Sequence, residues 1–131
     1  MSEKYKKEDI EFEIAFYNGL IERDPDFAAA LVALGELYTN VGMYEEGLAV
    51  DEKLVQLKPD DPIVLYNLGC SYSLLGFIDK AYRSVKKAVN CGYSDFEYLQ
   101  QDEDLTNLRE DRRFQQYLSR AKDKSPSTSQ E

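Results

Sequence analysis

Apolar residues recur at steps of three and four along most of the chain. Ile10, Ile14, Tyr17 and Ile21 form the first such stripe. Leu31, Leu34, Gly35 and Tyr38 form the second, and Leu48, Leu54, Val55 and Leu57 the third. Leu65, Leu68, Gly69 and Tyr72 follow, then Ile78, Ala81, Val85 and Ala88, and finally Phe114, Tyr117, Leu118 and Ala121. Residues three and four apart share one face of a helix, so each stripe predicts an amphipathic helix. No segment alternates apolar and polar residues with period two, and strands are not expected. The pattern predicts helices near 6–23, 27–40, 44–57, 61–75 and 78–91, two shorter ones within 95–109, and a last one near 111–122.

The breaks between stripes carry their own chemistry. "RDPD" at Arg23–Asp26 and "KPDDP" at Lys58–Pro62 interrupt the helical pattern, because proline lacks a donor and disfavours helix in the residue before it. Gly42, Gly76 and Gly92 follow apolar-periodic runs, where a glycine ends a helix in the left-handed conformation. Asp61, Asp95 and Asp111 are placed to cap the helices after them by accepting backbone N–H bonds. The end, Lys122–Glu131, has no apolar residue and is expected to be a disordered tail.

Two of the stripes are nearly the same text. "ALVALGELYTNVG" starts at Ala30 and "VLYNLGCSYSLLG" at Val64, 34 residues later. Leu31, Leu34, Gly35, Tyr38 and Gly42 return as Leu65, Leu68, Gly69, Tyr72 and Gly76, and Pro25 returns as Pro59. Helix pairs at this period resemble the tetratricopeptide repeat family. In the second helices Gly47 and Ala81 fit as small residues, and Val85 fits. Asp51 departs, with a charge where an aromatic usually packs, and is expected to be loosely packed or solvent-facing. Tyr93 stands where the second repeat would have proline. "DEDLTNLREDRRF", from Asp102 to Phe114, is similar to the ending of such arrays, with Glu103 and Arg112 replacing prolines.

The resemblance implies an all-α fold: a right-handed α-solenoid of antiparallel helix pairs, about seven helices in all. It implies a flexible start at 1–7 and one repeat domain at 8–121, followed by the tail at 122–131. Within the domain it sets a leading helix at 8–26, repeats at 27–60 and 61–94, and a degenerate closing repeat at 95–121. The packing signature is Leu31, Leu34, Gly35, Tyr38, Pro59, Leu65, Leu68, Gly69, Tyr72 and Ala81. A single helix pair cannot bury its apolar face alone, so neighbours stack.

At about 100° per residue, the first helix of each pair has a second face opposite these packing residues. In the resembled family such residues line a concave groove that takes a peptide or helix of a partner. Carried onto this chain, the groove is Val32, Glu36, Asn40, Ile63, Tyr66, Asn67, Cys70 and Gln101. One subset of the family grips a chaperone tail's carboxylate with a Lys/Asn/Asn/Lys/Arg clamp. Here Val32, Glu36, Asn67, Glu97 and Gln101 occupy those places, and only Asn67 matches, so that clamp is not supported. Glu97, Asp102, Glu103 and Asp104 read as a solvated loop and helix start. Their functional alternative is a patch selecting a basic or amphipathic segment.

Composition narrows the function classes. The chain has 131 residues, a net charge of −9 and no histidine. That charge argues against nucleic acid and anionic membranes as partners, and against an RNA-reading repeat of similar length. The two cysteines, Cys70 and Cys91, make neither a disulfide framework nor a zinc or redox spacing. Neither a signal peptide nor a membrane span is apparent, so the expected compartment is the cytoplasm. No catalytic constellation, metal-ligand cluster or phosphate-cradling loop stands out, so no enzyme activity, cofactor or metal is expected. The expected function is a non-catalytic adaptor or scaffold that binds another protein. The alternative is a dedicated chaperone or assembly factor for one client. Weak self-association through Phe12, Phe16 and Tyr17 is a further expectation.

Overall fold

The computed structural model describes residues 6–123. Most of the expected flexible start and tail lies outside them. Lys7 already belongs to the first helix, and Lys122 and Asp123 to the last.

Contacts divide the chain into two compact units, one up to Pro59 and one from Asp60. The first holds α1 (Lys7–Arg23), α2 (Ala28–Asn40) and α3 (Tyr44–Leu57). The second holds α4 (Pro62–Leu74), α5 (Ile78–Asn90), α6 (Phe96–Gln101), a 3-10 turn at Glu103–Leu105, α7 (Thr106–Arg109) and α8 (Arg112–Asp123). The chain is all-α, as the apolar spacing predicts. Eight α-helices occur among the described residues, the number that the apolar pattern predicts and one more than the resemblance implies, and the two short ones within 95–109 are separated at Asp102 and the 3-10 turn after it.

The punctuation residues act as their chemistry requires. Gly42 and Gly76 take φ of 85° and 84°, as does Gly92 at 120°. Beside them the Met43 N–H donates to Tyr38 O at 2.8 Å, and the Phe77 N–H to Tyr72 O at 2.9 Å. These long-reach bonds satisfy last-turn carbonyls that the helix leaves without partners. Asp61 accepts from the Ile63 and Val64 N–H groups at 2.9 and 3.2 Å, with Pro62 in the first turn. Asp95 accepts from Tyr98 N–H, and Asp111 from Phe114 N–H, both at 3.1 Å.

In the first unit α2 packs between α1 and α3, and Leu31, Leu34, Leu37 and Leu54 are buried. Gly35 lets α3 come close: a Cβ there would lie 3.1 Å from Asp51 Oδ1 and 3.4 Å from Val50 Cγ1. Asp51 itself is only 6% exposed, which corrects the expectation of a loose or solvent-facing residue. A short carboxylate fits against Gly35 because the glycine leaves it room.

In the second unit α4 packs on α5, and Gly69 repeats the close approach more tightly. A Cβ there would lie 2.5 Å from Val85 Cγ2. The degenerate closing segment proves to be core. Leu99, Leu105, Leu108 and Phe114 are all fully buried. The signature tyrosines Tyr38 and Tyr72 are only half-buried.

Candidate functional site

The residues assigned to a groove from helix geometry divide sharply by environment. On α2, Glu36 and Asn40 are exposed and Val32 is half-buried. On α4, Ile63 is 56% exposed and Asn67 half-buried, and Gln101 at the end of α6 is exposed. Tyr66 and Cys70 differ, being only 4% and 6% exposed. They are one turn apart on α4, and the segment after α6 covers both.

What covers them is Asp102. Its backbone is extended at φ −67° and ψ 116°, so α6 stops there. Its side chain caps the 3-10 turn by accepting from Asp104 N–H at 3.0 Å. The other carboxylate oxygen accepts from the Tyr66 hydroxyl at 2.6 Å and from the Cys70 thiol at 3.7 Å. Arg109 Nη1 secures the break by donating to the carbonyls of Leu99 at 2.8 Å and Asp102 at 2.6 Å. Asp102 is therefore buried and bonded, not part of a solvated acidic patch. Glu97 and Glu103 are exposed and Asp104 half-buried.

Aromatic rings close the cluster. Tyr66 stacks on Tyr93 with centroids 4.3 Å apart and planes 9° from parallel, and Tyr98 lies 6.4 Å away. One turn further along α4, Ser73 is fully buried. Its hydroxyl accepts from Leu108 N–H at 3.1 Å, and its carbonyl accepts from Asn107 Nδ2 at 2.9 Å. The closing segment is thus pinned to α4 by buried side-chain hydrogen bonds at two levels. Such bonds contribute modestly when made, but leaving one partner buried without the other costs about 1–3 kcal/mol.

Electrostatics keep this cluster in its neutral, donating forms. Burial pushes the Cys70 thiol well above its ordinary value, and the charge of Asp102 adds to the rise. Burial likewise raises Tyr66, with Cys70 and Asp102 contributing, and takes Tyr93 up to about 12. Asp104 is raised by burial and by its negative neighbours Asp102 and Glu103. The sulfur of Cys70 and carboxylate oxygens of Asp102 and Asp104 lie within 4.8 Å of one another. That spacing would suit a cation only after loss of the thiol proton, which this environment opposes. The arrangement is suited to a hydrogen-bonded brace that fixes α4 to the closing segment. Separately, an open cleft of about 290 Å³ runs beside α8, floored by Phe114 and Leu118.

The sequence reading assigned Tyr66 and Cys70 to a partner groove, whereas both are buried here, and it missed Asp102, Tyr93, Arg109 and Asn107 as the residues around them. One signal was available. Asp102 stands 34 residues after Leu68 and 68 after Leu34, both buried leucines. A carboxylate at a core position of a repeat demands buried donors.

Comparison with known proteins follows the same lines. Residues 28–61 match the family model for the tetratricopeptide repeat. The peroxisomal targeting signal receptor of Komagataella phaffii is 28% identical over 79 residues, 60% of this chain and 14% of that protein. The receptor of the same name from Candida albicans is 27% identical over 96 residues, 73% of this chain and 16% of that protein. The aligned part is thus a small fraction of these relatives. Among solved structures, a crystal structure of MamA superposes with a TM-score of 0.74 at 19% identity, covering 97% of this chain and 73% of that one. MamA from residue 41 to its end, from Desulfovibrio magneticus, gives 0.71 at 19% identity, covering 86% and 62%. No helix among the described residues is long and apolar enough to cross a membrane. Residues 28–61 are a tetratricopeptide repeat, and the chain that carries them has an all-helical repeat fold.

Proposed function

We propose that the chain is a protein-interaction module, non-catalytic and acting as an adaptor, in which the outward stripe on the first helix of each pair, α2 in one unit and α4 in the other, offers a contact for a peptide or helix of a partner. The observation that carries this reading is the contrast within each first helix. The repeated letters Leu31, Leu34, Leu65 and Leu68 are buried. The letters that change between copies include exposed Glu36 and Asn40 on α2, and exposed Ile63 and half-buried Asn67 on α4. An exposed isoleucine flanked by an asparagine offers an apolar contact with an adjacent hydrogen-bonding group, a common makeup for peptide recognition. The relatives are named as receptors for a targeting signal, which supports a peptide as the object bound. Tyr66 and Cys70 lie on the same face of α4 as Ile63 and Asn67, and their bonds to Asp102 hold the helix that presents these two residues.

Affinity capture with mass spectrometry tests the proposal. Wild type is compared with Ile63→Glu, at an exposed position, and Asn67→Lys, at a half-buried one, with circular dichroism checking that both variants fold. Loss of specific co-purifying proteins in the variants is expected. The same proteins recovered at the same yield from all three would overturn it.

A further inference from the structure

Among the described residues, α1 has no helix in the place where its counterparts α3 and α5 are covered. α1, α3 and α5 are in register at intervals of 34 residues: Pro25 follows α1 as Pro59 follows α3. Glu13, Phe16, Tyr17 and Leu20 of α1 therefore correspond to Gly47, Val50, Asp51 and Leu54 of α3. They also correspond to Ala81, Ser84, Val85 and Ala88 of α5.

In α3 and α5 this face lies against the first helix of the same pair. A Cβ on Gly47 would meet Thr39 Oγ1 at 3.0 Å, and Val50 and Asp51 crowd Gly35. Val85 crowds Gly69 in the same way, and Ala81, Ser84, Val85 and Ala88 are all buried. In α1 no residue is buried. Phe16 is 53% exposed, and Phe12, one turn earlier, is 71% exposed. The Phe16 ring rests edge-on against Tyr17 at 5.3 Å.

Charge separates the candidate occupants of this face. The first two turns of α1 carry Glu8, Asp9, Glu11 and Glu13 against Lys7. Asp9 and Glu13 lie on the side of Phe16, from the 100° spacing of an α-helix. Glu13 replaces the small residue that α3 and α5 use for close packing. A second copy of this chain would bring two acidic faces together. A basic helix would pair its cations with these carboxylates while covering the rings.

We infer that the Phe12–Phe16 face of α1 docks a basic amphipathic helix of another protein, in the place that α2 takes on α3 and α4 takes on α5. The docked helix presents a glycine or alanine to Phe16 and a lysine or arginine to Glu13. This surface is separate from the α2 and α4 stripes.

The test uses a fluorescent peptide of residues 27–43 of this chain, which is the first helix that α3 binds. Thr39→Lys and Met43→Lys make it basic, and a staple on its solvent face holds it helical, since a free peptide of this length is marginal. A control peptide carries glutamate at both positions. The 131-residue chain should bind the basic peptide about ten-fold or more tighter than the acidic one. Phe16→Glu should remove that binding, and Glu13→Lys should reverse the preference, both with unchanged circular dichroism and melting. Ile63→Glu should leave peptide binding intact, which separates this face from the proposed groove. Equal affinity for the two peptides, or indifference to Phe16→Glu, overturns the inference. So does a wild-type dimer in light scattering that Phe16→Glu dissolves, because the face would then belong to a second copy.

Discussion

Replacing Gly69 with alanine sets two effects of known sign against each other. Alanine in a helix interior is favoured over glycine by about 0.5–1 kcal/mol. Against this, the new methyl would sit 2.5 Å from Val85 Cγ2, about 1 Å or more inside the usual carbon–carbon distance. Val85 is fully buried, and its own backbone N lies 3.4 Å from the same point. Relief therefore requires α5 to move, which costs about 1–3 kcal/mol in a packed core. The expected net loss is about 1–2 kcal/mol. Two other glycines calibrate the estimate. At Gly19 nothing lies within 4 Å of the added atom, so Gly19→Ala should stabilise by the propensity gain alone, about 0.5–1 kcal/mol. At Gly35 the nearest atom is a side-chain oxygen of Asp51 at 3.1 Å, and Gly35→Ala should fall between. Urea unfolding followed by far-UV circular dichroism reads the order. With slopes of about 1–3 kcal/mol per molar urea, Gly69→Ala should lower the midpoint by roughly 0.5–1 M. A Gly69→Ala midpoint at or above wild type would refute the close-approach account of the repeat glycine.

Two further outcomes test the buried cluster. Asp104 has its carboxyl raised above the ordinary value of 3.8 by burial and neighbouring charge. The folded state therefore holds more protons than the unfolded state just above that value, and the contribution of Asp104 to stability falls as pH rises through this window. Asp104→Asn should raise stability at pH 7 and flatten this part of the pH profile, measured by urea midpoints from pH 4 to 7; an unchanged profile would contradict it. Cys70 is buried and its thiol held protonated, whereas Cys91 is half-exposed. A thiol reagent at pH 8 should label Cys91 in the native protein and Cys70 only after unfolding, and fast double labelling would show the brace around Asp102 to be open.

The fold was legible because packing is local and periodic. Leu31, Leu34, Gly35 and Tyr38 state the face and the close approach within two helical turns, and Pro25, Gly42 and Asp61 mark where each turn stops. The closing segment was half legible. Leu99 keeps the register of Leu31 and Leu65, but Asp102 breaks the helix where the earlier copies continue. The brace was not legible, because angular position on α4 assigns Tyr66 and Cys70 to an outward face. Only the return of the chain at Asp102 turns that face inward. Asp51 misled for a related reason: a charge reads as solvent-facing until the missing side chain of Gly35, sixteen positions earlier, is seen to leave space for it.

The spans of the bonds that dock the closing segment carry a kinetic consequence. Tyr66 and Cys70 reach Asp102 across 36 and 32 residues, Ser73 reaches Asn107 and Leu108 across 34 and 35, and Arg113 reaches Asp79 across 34. Each closes a loop of about one repeat length. Loop-closure entropy grows only with the logarithm of length, by about 0.6 kcal/mol per doubling, so all five face nearly the same barrier. Once one has formed, the others close much shorter remaining loops. The closing segment should therefore zip onto α4 and α5 in one concerted step, and its folding time should depend on the first of these bonds rather than on their number.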